Sequence, residues 1–243
     1  MPVTILVYGL DMRPADVEQI RSVHLFRDMA DDRFETLVKA AYLQRFPAQV
    51  SLIVEHEKPD FLHVVVDGSV ELYSRHGRRE TTIAVCGPVT TFILAAVVSD
   101  LPYLASARTV APSRILMLSA EAVRSVFDED SAFARAIVRE LSRSFRGVMK
   151  DVKSQKLRSS AERLANWILV HHAGNGGTDR FTLPYDKRML ASRLGMTPEN
   201  LSRNIMQLTE HGVVFERREV VIQDTAKLSA FARPTPSIDD ADY

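Results

Sequence analysis

Residues 183–214 have the sequence LPYDKRMLASRLGMTPENLSRNIMQLTEHGVV, which predicts two short helices joined by a tight turn. Met189, Leu190 and Leu194 give the first helix one apolar face. Gly195 follows, and glycine is the residue that adopts a left-handed turn conformation without steric cost. This stretch therefore predicts a helix-turn-helix.

The second helix of the pair has a start signal and an apolar face of its own. Thr197 is a favoured N-cap residue, and Pro198 suits the first helical position because the missing amide hydrogen has no partner there. Leu201, Ile205 and Leu208 recur at spacings of four and three, so they lie on one side of the helix. We expect this side to pack against the rest of its domain.

The polar side chains of the second helix suit contact with DNA bases. In a helix-turn-helix, the first turns of the second helix meet base edges in the major groove, where an arginine can bond guanine and a carboxylate can accept from cytosine. We therefore predict a recognition helix whose base-contacting residues are Glu199, Ser202 and Arg203. The structural alternative is an amphipathic helix pair that only packs within a protein.

At these residues the chain resembles the Crp/Fnr family of bacterial transcription regulators, whose recognition helix carries a Glu, two free positions and then Ser-Arg. The resemblance implies an Fnr-type half-site of TTGAT character, because the cyclic-AMP receptor branch usually has glycine where Ser202 stands. The Pro-Glu-x-x-Ser-Arg pattern is also similar to that of the regulators of nitrate respiration and denitrification. The resemblance extends along nearly the whole chain.

Length and composition fit a regulator with two domains. A chain of 243 residues with 46% hydrophobic residues can form two separate cores. Its formal net charge is zero, but residues 156–220 carry ten basic side chains against seven acidic ones. This basic excess lies where contacts to DNA phosphates would be needed.

The chain has few features of a secreted or membrane protein. A single cysteine, Cys86, excludes an internal disulfide framework, and no Cys-x-x-Cys pair offers a zinc site. The N-terminal residues MPVTILVYGLDMRP lack the basic region and cleavage site of a secretory signal, and no segment approaches the ~20 apolar residues of a membrane span. We expect a cytoplasmic protein with no membrane partner and no bound metal.

We predict an α+β fold whose residues 1–130 form an N-terminal sensor domain, a jelly-roll β-roll with flanking helices. Apolar residues from Ile20 to Ala41 have helix-like spacing. Short β-rich runs then follow, separated by turn signals such as Asp67-Gly68. The predicted strands are Val50–Val54, Phe61–Val66, Val70–Tyr73, Thr81–Val85 and Arg114–Leu118. The resemblance implies that this is the family's cyclic-nucleotide-binding fold.

Residues 131–158 are predicted to form a dimerisation helix and hinge. Apolar residues recur there at alternating steps of four and three, which is the pattern of a heptad seam. A single helix could instead bury this stripe against its own β-roll, but the resemblance favours a homodimer. The predicted interface residues are Val138, Leu141, Phe145, Val148 and Val152.

Residues 159–232 are predicted to form a winged helix-turn-helix domain. Ser159 and Glu162 have the spacing of a capping box, which opens the first helix of this domain, and VVFERREVVIQD has the pattern of the wing. We expect DNA-backbone contacts from Thr197, Lys187, Arg188, Arg193, Arg217 and Arg218. The tail, residues 233–243, is predicted to be disordered because it is rich in proline and aspartate.

The sensor domain lacks the charges that hold a cyclic nucleotide. The resemblance implies a Glu for the ribose hydroxyl and an Arg for the phosphate, but alignment places Phe92 and Tyr103 at these positions. A buried phosphate without its countercharge costs several kcal/mol, so cyclic AMP is not expected. The surrounding apolar sequence instead favours a planar hydrophobic guest in an effector pocket formed by Phe92, Ile93, Leu94 and Tyr103.

Other effectors of the family meet different objections. An iron–sulfur cluster needs four thiolates, and Cys86 is the single cysteine. The Cys and His of the family's haem-based carbon-monoxide sensors are also missing. Haem bound through another histidine is an alternative that the sequence leaves open. His24 and His63 lie near or in the sensor domain, where a structural or surface role is the more common one. The cofactor is therefore unknown, and a regulator without an effector is a further alternative.

No catalytic motif is present. The chain has no Gly-x-Ser-x-Gly elbow, no Walker loop and no His-Glu-x-x-His helix, so we do not expect an enzyme and predict no catalytic residues. The expected partners are double-stranded DNA, a second copy of the chain and RNA polymerase. The alternative function is a ligand-binding or interaction protein whose helix-turn-helix no longer binds DNA.

Overall fold

A computed structural model describes residues 14–240 of the chain. These residues fall into two compact units, divided between Arg143 and Ser144 inside one long helix. The N-terminal stretch MPVTILVYGLDMRP, which lacks the features of a secretory signal, lies almost entirely outside the described residues. Within residues 14–240, no helix combines the length and the apolar character that a membrane crossing requires.

The first unit contains the predicted β-roll. Two antiparallel four-stranded sheets form it, with strand orders β1-β8-β3-β6 and β2-β7-β4-β5. The elements in chain order are α1 (Pro14–Arg21), α2 (Asp31–Lys39), β1 (Ala41–Phe46), β2 (Ser51–Ile53), β3 (Phe61–Asp67), β4 (Val70–His76), β5 (Arg79–Cys86), β6 (Thr90–Phe92), α3 (Leu94–Ser99), β7 (Ser106–Thr109), β8 (Ser113–Ser119), α4 (Ala120–Glu129) and the first part of α5 (Ser131–Leu157).

Alternating side chains of the first sheet enter two different cores. Val65 of β3 and Ile115 of β8 belong to an interior core that both sheets share, with Val70 and Ala107 from the second sheet. The intervening side chains point the other way, because successive residues of a strand face opposite sides. They form a helix-side core with buried residues of the helices, which includes Leu62, Val64, Leu116, Phe133 and Ile137.

The predicted turn at Asp67-Gly68 connects β3 to β4 and requires glycine. Gly68 has a φ of +87°, and a Cβ added there would lie 2.3 Å from the hydroxyl oxygen of Ser113 and 2.6 Å from the carbonyl oxygen of Pro112. Any side chain would therefore collide with the neighbouring strand connection.

The five predicted strands are confirmed to within a few residues, but other elements differ from the prediction. β1, β6 and β7 were not predicted. The helix-like region from Ile20 to Ala41 is divided into the end of α1 and the whole of α2, and Ala41 already belongs to β1. Phe34 and Leu37 of α2 are the buried residues that produced the helical spacing.

The second unit is a winged helix-turn-helix. A three-stranded antiparallel sheet of order β10-β11-β9 packs with its helices around one apolar core. The wing is the β10–β11 hairpin, as predicted. The elements are the end of α5, then α6 (Ser160–Gly174), β9 (Arg180–Thr182), α7 (Lys187–Arg193), α8 (Pro198–Thr209), β10 (Val213–Glu216), β11 (Glu219–Ile222), α9 (Thr225–Ala232) and α10 (Pro236–Asp239).

The predicted capping box marks the break between α5 and α6. The Ser159 hydroxyl accepts from the Glu162 amide at 3.2 Å, and the Glu162 carboxylate accepts from the Ser159 amide at 2.8 Å. Both amides would otherwise lack a partner at the start of α6. The long helix therefore ends within the predicted hinge.

The prediction of a disordered tail is wrong for residues 233–240. Thr235 precedes the short helix α10, and Asp239 accepts two hydrogen bonds from the guanidinium of Arg158. Lys153 donates to the Ser237 hydroxyl at 2.7 Å. Acidic and polar residues that resembled a solvated tail therefore bind basic residues at the end of α5.

Candidate functional site

The helix-turn-helix has the geometry that its sequence predicts. Thr197 caps α8, with its hydroxyl accepting from the Asn200 amide at 3.2 Å, and Pro198 occupies the first turn. Gly195 adopts the left-handed conformation with a φ of +63°. The turn and the start of the recognition helix are therefore fixed by local chemistry.

An arginine outside the motif holds the turn in place. The Arg163 side chain of α6 donates to the carbonyl oxygens of Leu194 at 2.9 Å and of Gly195 at 3.2 Å. A third bond, to the Arg158 carbonyl at 2.8 Å, joins it to the end of α5. Sequence reasoning counted Arg163 only as a basic residue, because its partners are backbone atoms brought close by the fold.

The three predicted base-contacting residues share an exposed face of α8. Glu199, Ser202 and Arg203 are all exposed, and Leu201 and Leu208 are buried on the opposite side. Bonds from its own amide and from the Thr197 hydroxyl lower the pKa of Glu199, and the charge of Arg203 acts in the same direction. The carboxylate therefore stays ionised as a hydrogen-bond acceptor.

The recognition face also contains a residue that sequence reasoning missed. Met206 is 74% exposed and follows Ser202 by four residues and Arg203 by three, so it extends the same face by one turn. Asn204, a polar residue of the same helix, is buried. Its amide donates to the sulfur of Met196 at 3.3 Å. An exposed methionine beside the predicted base-contacting residues has the apolar character that suits contact with a thymine methyl group.

The predicted backbone-contacting cations are exposed except for Arg193, which is partly exposed. Lys187, Arg188 and Arg217 are exposed. Arg218 is also exposed, although one of its nitrogens donates to the Leu183 carbonyl at 3.1 Å. Arg193 differs because its guanidinium lies 3.1 Å from the carboxylate of Asp151. This ion pair links α7 to α5, and the phosphate contact of Arg193 stays a prediction.

The predicted dimer seam on α5 is largely exposed. Val138, Phe145, Val148 and Val152 are exposed, with Phe145 at 67%. Leu141 is partly exposed and packs partly against the helix-side core of the first unit. The same helix buries Phe133 and Ile137 near its start, which leaves a separate apolar stripe without cover along the rest of its length.

The four residues of the predicted effector pocket do not lie together. Phe92 and Tyr103 are buried in the interior core, and Ile93 packs against it. Leu94 begins α3 and belongs to the helix-side core, on the other side of the sheet. The prediction of one pocket lined by all four residues is therefore wrong, because the chain changes from strand to helix between Phe92 and Leu94.

The interior of the β-roll has no basic side chain among the described residues. The buried polar residues of the first unit are acids, hydroxyl residues and one histidine, with no arginine or lysine among those described. Arg108 of β7 is part-exposed, and its guanidinium binds the carboxylates of Glu71 at 2.7 Å and Glu80 at 2.8 Å. It also lies over the ring of Tyr73. Both carboxylates belong to the same sheet, so the charge of Arg108 is paired there.

His63 is the histidine of this interior. Its side chain is 3% exposed, and its ring stacks on Phe92 with a centroid distance of 5.3 Å. Burial lowers the pKa of His63 to about 4, so the imidazole is neutral at pH 7. Among the described residues its Nδ1 has no hydrogen-bond partner. His63 is therefore a buried histidine and not a surface one, whereas His24 is exposed.

Two family models match the chain, one in each unit. A cyclic nucleotide-binding domain matches residues 43–130, and a Crp-like helix-turn-helix domain matches residues 162–231. Together the two matches cover more than half of the chain. Among described residues, no group of three histidine, cysteine, aspartate or glutamate side chains could hold a metal ion.

Several known proteins are similar to this chain over most of its length. A CRP-like cAMP-activated global transcriptional regulator of Mycobacterium tuberculosis is 22% identical over 86% of this chain and 96% of its own length. FixK2 of Bradyrhizobium japonicum is 19% identical, with a TM-score of 0.70 over 80% of this chain and 98% of its own. A Silicibacter pomeroyi regulatory protein proposed to bind cAMP is 26% identical, with a TM-score of 0.60 over 89% of this chain and all of its own.

A sensor β-roll, a long helix and a winged helix-turn-helix with an exposed recognition face define a DNA-binding transcription regulator. The chain belongs to the Crp/Fnr family of these regulators. The alternative of an interaction protein with a degenerate helix-turn-helix is set aside, because the motif is complete. Regulators of this kind are not enzymes.

Proposed function

We propose that the protein is a homodimeric regulator that binds TTGAT-like half-sites and responds to a signal other than a cyclic nucleotide. The proposal that the protein binds DNA rests on the exposed face of α8, where Glu199, Ser202 and Arg203 lie together on a capped helix. In this proposal the protein acts in the cytoplasm on double-stranded DNA, with RNA polymerase as a further partner.

The chemistry of this face matches one base pair of the half-site. The Arg203 guanidinium can bond the O6 and N7 atoms of the guanine in TTGAT, and the ionised Glu199 can accept from the amino group of a cytosine. Ser202 is tolerant as a donor or acceptor. The TTGAT sequence itself follows from the family resemblance at Ser202.

The apolar stripe of α5 supports a second copy of the chain as its occupant. Val138, Phe145, Val148 and Val152 recur with heptad spacing on an uncovered helix face. Two parallel helices that pack along this stripe would place two recognition helices on one duplex. Successive major grooves on one side of DNA lie ~34 Å apart, so a dimer can bind two half-sites together.

The interior of the β-roll supports a signal without phosphate. Phe92 and Tyr103 are apolar or uncharged where the family's nucleotide-binding Glu and Arg would stand, and Arg108 is bound to Glu71 and Glu80. The relative from Mycobacterium tuberculosis is described as cAMP-activated. This chain lacks both of the charges that the family resemblance implies for binding a cyclic nucleotide. A buried cyclic phosphate would have no countercharge here.

Haem is a second candidate signal because His63 offers a neutral imidazole beside apolar side chains. The cavity next to it has a volume of about 300 Å³, at the lower end of the ~300–1,000 Å³ of small-molecule pockets. A porphyrin would require the walls to separate. The proposed signal is therefore a smaller apolar molecule, with haem as the alternative that spectroscopy tests.

The half-site is tested by fluorescence anisotropy with labelled duplexes. TTGAT-N4-ATCAA should bind at least tenfold more tightly than the same duplex with the guanine of each half-site changed to adenine, since each mismatched pair costs ~1–3 kcal/mol. Equal affinity for the two duplexes would exclude the proposed base contact.

The signal is tested by titration of the purified protein. Calorimetry with cyclic AMP and cyclic GMP should give no heat of binding, and tight binding of either would overturn the proposal. Haemin is titrated in parallel, and a saturable Soret shift would assign haem in place of the smaller molecule. No binding of any of these ligands would favour a regulator that is controlled by its own abundance.

A further inference from the structure

Four side chains form one row across the first sheet. Tyr42 of β1 pairs in register with Met117 of β8, Met117 pairs with His63 of β3, and His63 pairs with Phe92 of β6. Directly opposite residues of antiparallel strands project to the same side of the sheet. Since Phe92 lies in the interior core, the whole row faces the interior of the β-roll.

A cavity lies over this row. It has a volume of about 300 Å³, and we call it the His63 cavity. Its walls are mainly aromatic and aliphatic, and none of the four residues of the predicted effector pocket lines it. The lining residues are Tyr42, Gln44, Phe46, Ser51, Leu52, Phe61, His63 and Met117.

The imidazole in the wall of the cavity has an unused hydrogen-bonding atom. His63 Nδ1 is buried and has no partner among the described residues. An unsatisfied buried polar atom costs ~1–3 kcal/mol, so such atoms are uncommon in folded proteins. The rings of Phe92 and Phe61 hold the imidazole from two sides, at centroid distances of 5.3 and 6.4 Å. His63 also lines the cavity, so a molecule bound there would lie against its imidazole.

We propose that the His63 cavity binds a small, uncharged, planar molecule that carries one hydrogen-bond donor, such as a phenol or an indole. Aromatic walls and the volume select a flat guest of this size. No acid or base besides His63 lines the cavity apart from the phenol group of Tyr42, so a charged guest would lose its hydration without a countercharge. A neutral imidazole presents one lone pair, which accepts from the donor of the guest.

This inference deepens the proposed function and rests on it, because it names the chemical class of the signal. The donor requirement separates it from simple filling of an apolar cavity. Toluene has the shape of phenol without the hydroxyl group, so the two probes differ only in the hydrogen bond that His63 would accept.

The experiment measures phenol and toluene binding to the full chain by ligand-observed NMR. Phenol should bind wild type saturably, and His63→Phe should weaken phenol binding about tenfold while toluene binding changes less than twofold. The matched control is His24→Phe, which makes the same substitution at an exposed histidine of the same unit and should leave both affinities unchanged. Equal phenol affinity of wild type and His63→Phe, or no saturable binding of phenol, overturns the proposal.

A second measurement on wild type avoids any effect of the substitution on folding. Phenol should move the ¹⁵N resonance of one imidazole nitrogen of His63 and leave those of His24 in place, and an unmoved His63 resonance contradicts the proposal. Calorimetry with cyclic AMP on the same sample distinguishes failure of the proposed signal class from failure of the His63 cavity proposal. Cyclic AMP binding would refute the proposed signal class, whereas failure of phenol alone would refute only the His63 cavity.

Discussion

Arg203 is the residue that we assign to the guanine of the proposed half-site. It is exposed on α8, where its guanidinium can bond guanine in the major groove. We expect Arg203→Ala to lose ~1–3 kcal/mol of discrimination between TTGAT-N4-ATCAA and a scrambled duplex. The measurement is the ratio of the two dissociation constants at one salt concentration.

Arg188→Ala is the matched control for this substitution. Arg188 is also exposed, but we assign it to the phosphate backbone. Its removal should weaken binding to both duplexes equally and reduce the slope of log K against log salt by about 1. If Arg203→Ala keeps the wild-type ratio of specific to scrambled binding, the assignment of α8 to the major groove is wrong.

His63 makes the stability of the first unit depend on pH. Burial lowers the pKa of His63 to about 4, whereas an unperturbed histidine, as in the unfolded chain, has a pKa of about 6.5. Between these values the unfolded chain binds a proton that the folded chain excludes. Stability is therefore present above pH 6.5 and is lost as the pH falls towards 4. Between pH 7 and pH 4.5, wild type should lose about 2 kcal/mol more unfolding free energy than His63→Phe. Calorimetric scans that show equal losses would contradict the buried neutral imidazole.

The sequence alone predicts residues whose role depends on local spacing. Glu199, Ser202 and Arg203 follow from the 3.6-residue period of one helix and its cap. Arg193 and His63 could not be assigned in this way, because Asp151 and Phe92, their neighbours, are brought to them by the tertiary fold. The sequence shows that a charged group or an imidazole is present, but not which side chains the fold brings into contact with it.

At the scale of elements, α5 carries the proposed dimer interface. Phe145 is 67% exposed in the centre of the apolar stripe. Phe145→Asp would bury a charge between two helices, so we expect sedimentation velocity to show monomers and DNA affinity to fall with dimerisation. The control is Arg143→Asp, which adds the same group on the side of α5 away from the stripe and should leave the dimer intact. A dimer that survives Phe145→Asp would place the interface elsewhere.

The link between α10 and the end of α5 is a second testable element. The side chains of Arg158 and Asp239 are 7% and 14% exposed, so removal of one leaves the other charge nearly buried. Asp239→Ala should lower the unfolding free energy of the second unit by about 3 kcal/mol. Urea unfolding followed by the fluorescence of Trp167, the single tryptophan, reports on this unit.

Glu216→Ala is the matched control for Asp239→Ala. Glu216 pairs with Arg180, and both side chains are more than half exposed. Solvent-exposed pairs contribute ~0–1 kcal/mol, so this variant should unfold close to wild type. If Asp239→Ala has no larger effect than the control, the tail does not stabilise the second unit.

Elements were predictable where the pattern was long or bounded by turns. β3 and β4 follow from the apolar runs around Gly68, and the capping box locates the start of α6. β6 was missed because it has three residues inside a continuous apolar run that turns into α3. The tail was mispredicted because its partners, Arg158 and Lys153, lie some eighty residues earlier in the chain.

At the scale of the whole molecule, two units with separate cores follow from length and composition, and the division inside α5 could not be located from sequence. The heptad spacing continues through the division point without a break, because one helix belongs to both units.

We propose that two copies of this chain bind one duplex through two half-sites. That claim depends on the spacing between the half-sites as much as on their sequence.

An electrophoretic shift titration compares TTGAT-N4-ATCAA with the same duplex lengthened by five base pairs between the half-sites, and with a duplex that keeps one half-site. Half a turn of DNA places the second half-site on the opposite side of the duplex. We expect tight binding of two chains to the first duplex, and binding to the lengthened duplex no stronger than to the single half-site. Equal affinity for all three duplexes would contradict dimeric binding of two half-sites.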